Sequence, residues 1–200
     1  MTTARMEAFS DGVIAILITI MVLELRLPNG ADWAALRPML PIFLSYLLSF
    51  VFLGIYWNNH HHMMLLTDEI NGGILWANLH LLFWLSLVPF ATSWMGANHV
   101  APLPTAVYGA VLLLSAMAYT ILQTAIISHQ GRGSKLKAAV GRDRKGIASA
   151  LLYVAAIPLA FVNSRIAVII YVIVAALWLV PDRRIEKSLT RHTEDRPRHA

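Results

Sequence analysis

The 200-residue sequence is 58% hydrophobic and only 14% charged, with a mean hydropathy of +0.61. These values exclude an ordinary soluble domain and indicate a protein whose solvent is the bilayer. The formal net charge of +5 does not indicate nucleic-acid binding, because the sixteen Lys and Arg residues lie in loops. The absence of cysteine excludes disulfides and thiolate metal sites.

Six apolar segments follow one another along the chain, and residues 70–131 contain no Asp, Glu, Lys or Arg. The segments are residues 8–27, 38–57, 73–94, 105–127, 147–163 and 166–180. A spanning helix needs roughly 20 mostly apolar residues. The short fifth and sixth segments are separated by residues 163–165, which predicts a tight helical hairpin. The sequence thus predicts an all-α polytopic membrane domain with six transmembrane helices over residues 1–181, then a short basic tail over 182–200.

Basic residues are unevenly distributed between the connections, and basic loops are retained in the cytoplasm. Thirteen of the sixteen lie on one side if both termini are cytoplasmic, leaving Arg26, Arg37 and Arg165 on the other. We therefore expect a multi-pass protein of the cell membrane with both termini in the cytoplasm. The basic tail is expected to favour anionic lipid headgroups.

The first segment opens with the unusual pattern Arg5-x-x-x-Phe9-Ser10-Asp11. Ionisable groups at membrane depth are costly and usually paired. Because Arg5 and Asp11 do not share a helix face in a simple i, i+4 sense, each is expected to need partners on other helices. The candidates at the same membrane face are Trp57, His60, His61, His62 and Asn78. The alternative is that Ser10 or Asp11 merely caps the helix N-terminus.

Further along this segment, Ile16, Ile20 and Leu23 stand at i, i+4 and i+7 and share one face, with Thr19 beside them. If about four copies of this face met around an axis, the aliphatic side chains would form a narrow constriction of the kind that gates by dewetting. From spacing alone, contact with lipid is the simpler interpretation.

Other chemistry finds little support in the sequence. His60, His61 and His62 are consecutive and do not share a helix face, so hydrogen bonding is favoured over metal binding, and no metal or other cofactor is predicted. The motifs GxxxxGK[ST], GxSxG and HExxH are absent, which disfavours an enzyme. The TVGYG filter of ordinary potassium channels is absent as well.

The pattern from Arg5 to Asp11, followed by an apolar helix ending in Leu23-Glu24-Leu25, resembles prokaryotic members of the transmembrane protein 175 potassium channel family. Weaker matches are Trp57-x-x-His60-His61, Asn78-Leu79 and Pro89-Phe90. The resemblance implies a homotetramer of six-helix subunits around a central pore lined by the first helix. Its expected partners are further copies of itself, membrane lipids and permeant potassium ions.

By this resemblance, the pore constriction consists of Ile16, Ile20 and Leu23, with Thr19 as an adjoining hydroxyl ring. The residues implied to anchor the first helix are Arg5, Phe9, Ser10, Asp11, Trp57, His60 and Asn78. The implied function is a potassium-permeable cation channel without a filter loop. A secondary transporter and a non-conducting membrane scaffold remain as alternatives.

Overall fold

The computed structural model describes residues 2–25, 27–141 and 143–179, with residue 132 described by its backbone only. These residues are helical and contain no β-strand, which confirms the all-α prediction. The helices are α1 (Thr3–Leu23), α2 (Trp33–Leu36), α3 (Leu40–Leu65), α4 (Gly72–Ser86), α5 (Val88–Ala97), α6 (Pro102–Gln130), α7 (Lys135–Val140) and α8 (Arg144–Leu179). Residue 180 of the sixth predicted segment and the predicted tail lie outside the described residues.

Helix α1 begins earlier than its apolar stretch. Thr2 has an extended backbone and its hydroxyl oxygen accepts a hydrogen bond from the Arg5 amide (3.4 Å), so the helix starts at Thr3 rather than at residue 8. Ser10 and Asp11 therefore lie inside the helix, and the interpretation of either as its N-cap is wrong. The helix ends at Leu23, four residues before the predicted boundary at 27.

The next two crossings also exceed or interrupt their predicted segments. Helix α3 continues two turns past residue 57 to Leu65 and so includes all three consecutive histidines. Helices α4 and α5 form one crossing, broken at Leu87 just before Pro89, whose ring removes a backbone hydrogen bond and bends the helix.

The last helix, α8, is a hairpin. Its 36 residues would extend about 54 Å if straight, well beyond the roughly 30 Å of bilayer hydrocarbon. At Asn163 the backbone leaves the helical region (φ −156°, ψ 104°). The Tyr153 and Tyr171 ring centroids lie 6.2 Å apart, and the Trp178 indole N–H donates to Ser149 Oγ (2.8 Å). The two arms therefore pack against each other, as the sequence predicted. With the folded α8 counted once, five helical stretches among the described residues are long and apolar enough to cross a membrane.

Contacts between connections define the two ends of the bundle. At one end, Lys135 Nζ pairs with Asp68 (3.1 Å), and the Asn71 amide contacts the His129 ring (3.1 Å). We call this the basic end, because Arg5, Lys135, Lys137, Arg144 and Lys145 lie there. At the opposite end, Ser93 Oγ donates to Glu24 Oε2 (3.0 Å). Successive membrane-spanning segments thus alternate in direction, with α4 and α5 counted as one segment.

Buried hydroxyl groups join the middle of the bundle. Ser49 Oγ lies 2.6 Å from Thr92 Oγ1 and 2.9 Å from the Tyr108 hydroxyl, linking α3, α5 and α6. The Tyr171 hydroxyl donates to the Thr105 carbonyl (3.1 Å). Tyr171 reaches this position only because Gly109 has no side chain, since a Cβ at residue 109 would collide with the Tyr171 hydroxyl. Hydrogen bonds and close approach at small residues are what hold helices together in lipid.

This packing predicts that Gly109→Ala lowers the thermal unfolding midpoint of the detergent-solubilised protein. The matched control is Gly54→Ala, because a Cβ at residue 54 meets nothing within 4 Å and the gain in helix propensity is about 1 kcal/mol. We expect the Gly54 variant to be unchanged or stabilised. Equal midpoints for the two variants would contradict the close approach of Tyr171.

Candidate functional site

Helix α1 has a buried face and an exposed face, although it is apolar nearly all round. The buried side chains recur every three to four residues and are Met6, Ser10, Ile14, Leu17 and Met21. The exposed side chains include Phe9 (51%), Ile16 (56%), Ile20 (41%) and Leu23 (79%). The three aliphatic residues named from the sequence therefore share the outward face of α1.

A buried chain of hydrogen bonds holds the inner face of α1. His60 Nε2 donates to Asn78 Oδ1 (2.8 Å), and Asn78 Nδ2 donates to Ser10 Oγ (2.9 Å). Ser10 Oγ in turn donates to the Met6 carbonyl (2.9 Å). Ser10, His60 and Asn78 are almost completely buried and come from α1, α3 and α4. We call these three residues the Ser10 network.

Asp11 lies beside this network without joining it by a direct bond. Its Oδ1 is buried and has no hydrogen-bond partner among the described residues, and the same holds for His60 Nδ1. His60 donates through Nε2, so its Nδ1 can act as an acceptor when the ring is neutral. Asp11 and His60 thus each keep one polar atom for a further partner.

A second polar contact joins α1 to α3 nearer the basic end. His61 Nδ1 lies 2.6 Å from Glu7 Oε1, and the Trp57 ring stacks on His61 with centroids 6.3 Å apart. Sequence reasoning missed Glu7, whose partner is 54 positions away and follows no local spacing. Arg5 is exposed and forms no ion pair with any described residue.

The predicted anchoring residues thus separate into groups. Ser10, His60 and Asn78 are brought together, whereas Trp57 stacks on His61. Phe9 is half-exposed on the outward face. His62 is half-buried, with its ring 5.8 Å from that of His61. The described residues contain no group of three His, Asp or Glu side chains arranged to hold a metal ion.

Thr19 lies on the outward side of α1 and is exposed. Its hydroxyl donates to the Ile16 carbonyl (2.9 Å), which satisfies its hydrogen and leaves oxygen lone pairs available. Near the end of the same helix, Glu24 is held by Ser93. The outward side therefore presents branched aliphatic groups with a hydroxyl oxygen among them and a carboxylate beyond them.

The fold and this site define a polytopic α-helical membrane protein whose first helix is fixed on one side and apolar and open on the other. A family model described as the endosomal/lysosomal potassium channel TMEM175 matches residues 5–89. A potassium channel of Chryseobacterium sp. (strain P1-3) is 56% identical, over 94% of this chain and 98% of that relative. The chain belongs to the TMEM175 family.

Further comparisons agree in sequence and in fold. A potassium channel of Streptomyces collinus is 34% identical over 60% of this chain and 62% of that relative. The crystal structure of a lysosomal potassium-selective channel TMEM175 homologue from Chamaesiphon minutus superposes with a TM-score of 0.76 at 26% identity. The superposition covers 89% of this chain and 96% of that one.

The Ser10 network predicts energetic coupling between α1 and α4. In a double-mutant cycle of Ser10→Ala and Asn78→Leu, we expect a coupling of about 0.6 kcal/mol and at most about 1.7 kcal/mol, the range for hydrogen bonds between membrane helices. The measurement is reversible unfolding in mixed micelles. Asn58→Leu is the control, since Asn58 is exposed on α3, and its coupling to Ser10→Ala should be zero.

Proposed function

We propose that the protein is a potassium-permeable cation channel whose pore is lined by the outward face of α1 from several subunits. The observation that carries the proposal is the division of α1 into two faces. Ile16, Ile20 and Leu23 are exposed, whereas Leu17 and Met21 between them are buried. Membership of a family whose bacterial relatives are named potassium channels supports the same function.

The proposed constriction consists of rings of Ile16, Ile20 and Leu23, one from each subunit. Branched aliphatic side chains offer no ligand to a dehydrated cation, so ion preference depends on hydration and pore radius and is modest. Narrow apolar rings close a pore by expelling water. Thr19 adds a ring of hydroxyl oxygens beside Ile16 and Leu23. This ring is polar, whereas the rest of the proposed constriction is apolar.

The assembly we propose is the homotetramer that the family resemblance implies. One subunit offers only one such face and cannot enclose a pore by itself. We place the protein in the plasma membrane, with both termini in the cytoplasm. The support is the concentration of Lys and Arg at the basic end. In this orientation, Glu24 and Ser93 lie at the outer mouth. The anchoring role falls to the Ser10 network, helped by Arg5, Phe9, Asp11 and Trp57.

The channel predicts potassium flux from liposomes that changes when the constriction is altered. Ile16→Asn should wet the constriction and raise flux about tenfold, which corresponds to about 1.4 kcal/mol in the barrier. Leu23→Ala should widen the outer ring and raise flux less. The measurement is potassium efflux from proteoliposomes with equal protein incorporation.

Ile169→Asn is the matched control, because Ile169 on α8 is 57% exposed and Ile16 is 56% exposed. The flux of the Ile169→Asn protein should equal that of the native protein, because Ile169 lies outside the proposed constriction. No flux from any of the folded, inserted proteins would remove the channel and favour a scaffold or a coupled transporter. A saturable flux that requires a second ion would favour the transporter.

The absence of native cysteine makes α1 directly testable by single-cysteine chemistry. We expect Ile20→Cys to be modified by a water-soluble cationic thiol reagent and to lose flux on modification. Leu17→Cys, on the buried face, should resist the same reagent. Oxidation should join Leu23→Cys subunits into covalent dimers. Equal modification of residues 17 and 20 would contradict the assignment of the pore-lining face.

A further inference from the structure

A separate cavity of about 540 Å³ lies between α3, α6 and the first arm of α8, away from α1. Its size falls within the roughly 300–1,000 Å³ typical of small-ligand sites. The wall is largely apolar and aromatic, and its main side chains are Phe52, Tyr56, Tyr119, Ala150, Tyr153 and Trp178. None of these residues belongs to the proposed pore, so the cavity requires an explanation of its own.

Several polar groups of the wall are engaged within the protein. The Tyr119 hydroxyl donates to the Asn59 carbonyl (3.3 Å), and Thr120 Oγ1 donates to the Ala116 carbonyl (3.0 Å). Ser149 Oγ donates to the Lys145 carbonyl and accepts from the Trp178 indole. An occupant therefore meets mainly hydrocarbon and aromatic surface, which favours an apolar chain over a polar metabolite.

The rim of the cavity indicates where it opens. Met117, Ile121 and Ile147 line it and are 50%, 47% and 61% exposed, respectively. They belong to membrane-spanning helices, where exposed apolar side chains contact acyl chains rather than water. The opening is therefore lateral, between α6 and the first arm of α8, and faces the hydrocarbon of the bilayer.

Polarity increases along the cavity toward the basic end. Phe52 and Tyr153 lie deep, whereas Asp143 and Trp178 lie near the helix ends. The Asp143 carboxylate already accepts from the Gly146 amide (2.8 Å). The Lys145 ammonium lies 6.0 Å from the centre of the Trp178 ring. A tryptophan beside a lysine at the end of a spanning helix is typical of the level of lipid headgroups.

The charge of the adjoining connection favours an anion. Residues 132–145 contain six Lys or Arg and one Asp. Basic pockets between transmembrane helices on the cytoplasmic side bind the headgroups of anionic lipids. The sequence after Leu179 is dense in charged residues and so does not match an apolar cavity.

We propose that the cavity is a binding site for an anionic phospholipid of the adjacent leaflet. One acyl chain enters between α6 and α8 and lies against Phe52, Ala150 and Tyr153, and the phosphate contacts Lys145 and Arg144. Only the assignment of this leaflet as the cytoplasmic one depends on the proposed orientation. The site itself requires no ion conduction, so it is tested independently of the channel.

The test is native mass spectrometry of the purified, delipidated protein with added phosphatidylglycerol or phosphatidylcholine carrying identical acyl chains. We expect one phosphatidylglycerol per subunit, bound severalfold more tightly than phosphatidylcholine. Lys145→Gln, next to the lining residue Gly146, should reduce this preference severalfold. Lys137→Gln, which alters an exposed lysine of α7 at the same end, should preserve it.

Filling the cavity separates chain insertion from surface attraction. Ala150→Phe should abolish binding of both lipids at an unchanged unfolding midpoint, whereas Ala155→Phe, on the exposed side of the same arm, should bind normally. Retained binding in a folded Ala150→Phe protein would overturn the proposal and leave only headgroup attraction at the surface. Equal affinity of the native chain for both lipids would overturn its anionic selectivity.

A second measurement keeps the proposal testable if Ala150→Phe does not fold. Phosphatidylglycerol brominated on its acyl chain should quench tryptophan fluorescence, and Trp178→Phe should remove the part of this quenching that saturates at one lipid per subunit. Trp76→Phe is the control, since Trp76 is 75% exposed on α4 and does not line the cavity. If the saturable quenching is the same in the Trp178→Phe and Trp76→Phe proteins, the proposed lipid site is overturned.

Discussion

The orientation of α1 about its own axis, which decides the side that faces its neighbours, depends on a buried chain of hydrogen bonds. Because α1 is apolar on nearly every side, hydrophobicity alone does not define which side faces its neighbours. A polar group left unsatisfied in hydrocarbon costs several kcal/mol. Turning α1 by one residue, about 100°, would move Ser10 away from Asn78 and break its contact with α4. The Ser10 network, together with the Glu7–His61 contact, therefore favours the orientation in which α1 leaves Ile16, Ile20 and Leu23 exposed.

Hydropathy and helix length predicted the crossings, and the polar residues 163–165 predicted the hairpin of α8. The boundaries were less accurate, because Thr2 lies outside the apolar stretch it caps and the histidines after Trp57 count as polar although His60 is buried. Within the site, the structure joins Ser10, His60 and Asn78 by hydrogen bonds, and their role as an anchor of the first helix stays a prediction. The Glu7 contact and the exposed position of Arg5 depend on packing between distant segments, which no local pattern encodes.

Different regions of the chain use different means of association. The part matched by the family model, residues 5–89, contains the whole Ser10 network and the exposed face of α1. The later part, α6 and α8, relies on tyrosine packing and on the close approach at Gly109. It also encloses most of the lateral cavity. The arrangement separates a first helix held by polar contacts from two later helices packed through aromatic side chains.

The reversal at Asn163 has a consequence for how the chain can vary. The Asn163 side chain accepts from the Arg165 amide (3.0 Å), so the second arm of α8 begins immediately where the first ends. Because a hairpin crosses the membrane twice, the chain that leaves it is on the same side of the membrane as the chain that enters it. Its loss, gain or duplication would not invert any helix that precedes it. The paired arms are thus a unit that evolution can exchange while the direction of α1 in the membrane stays the same.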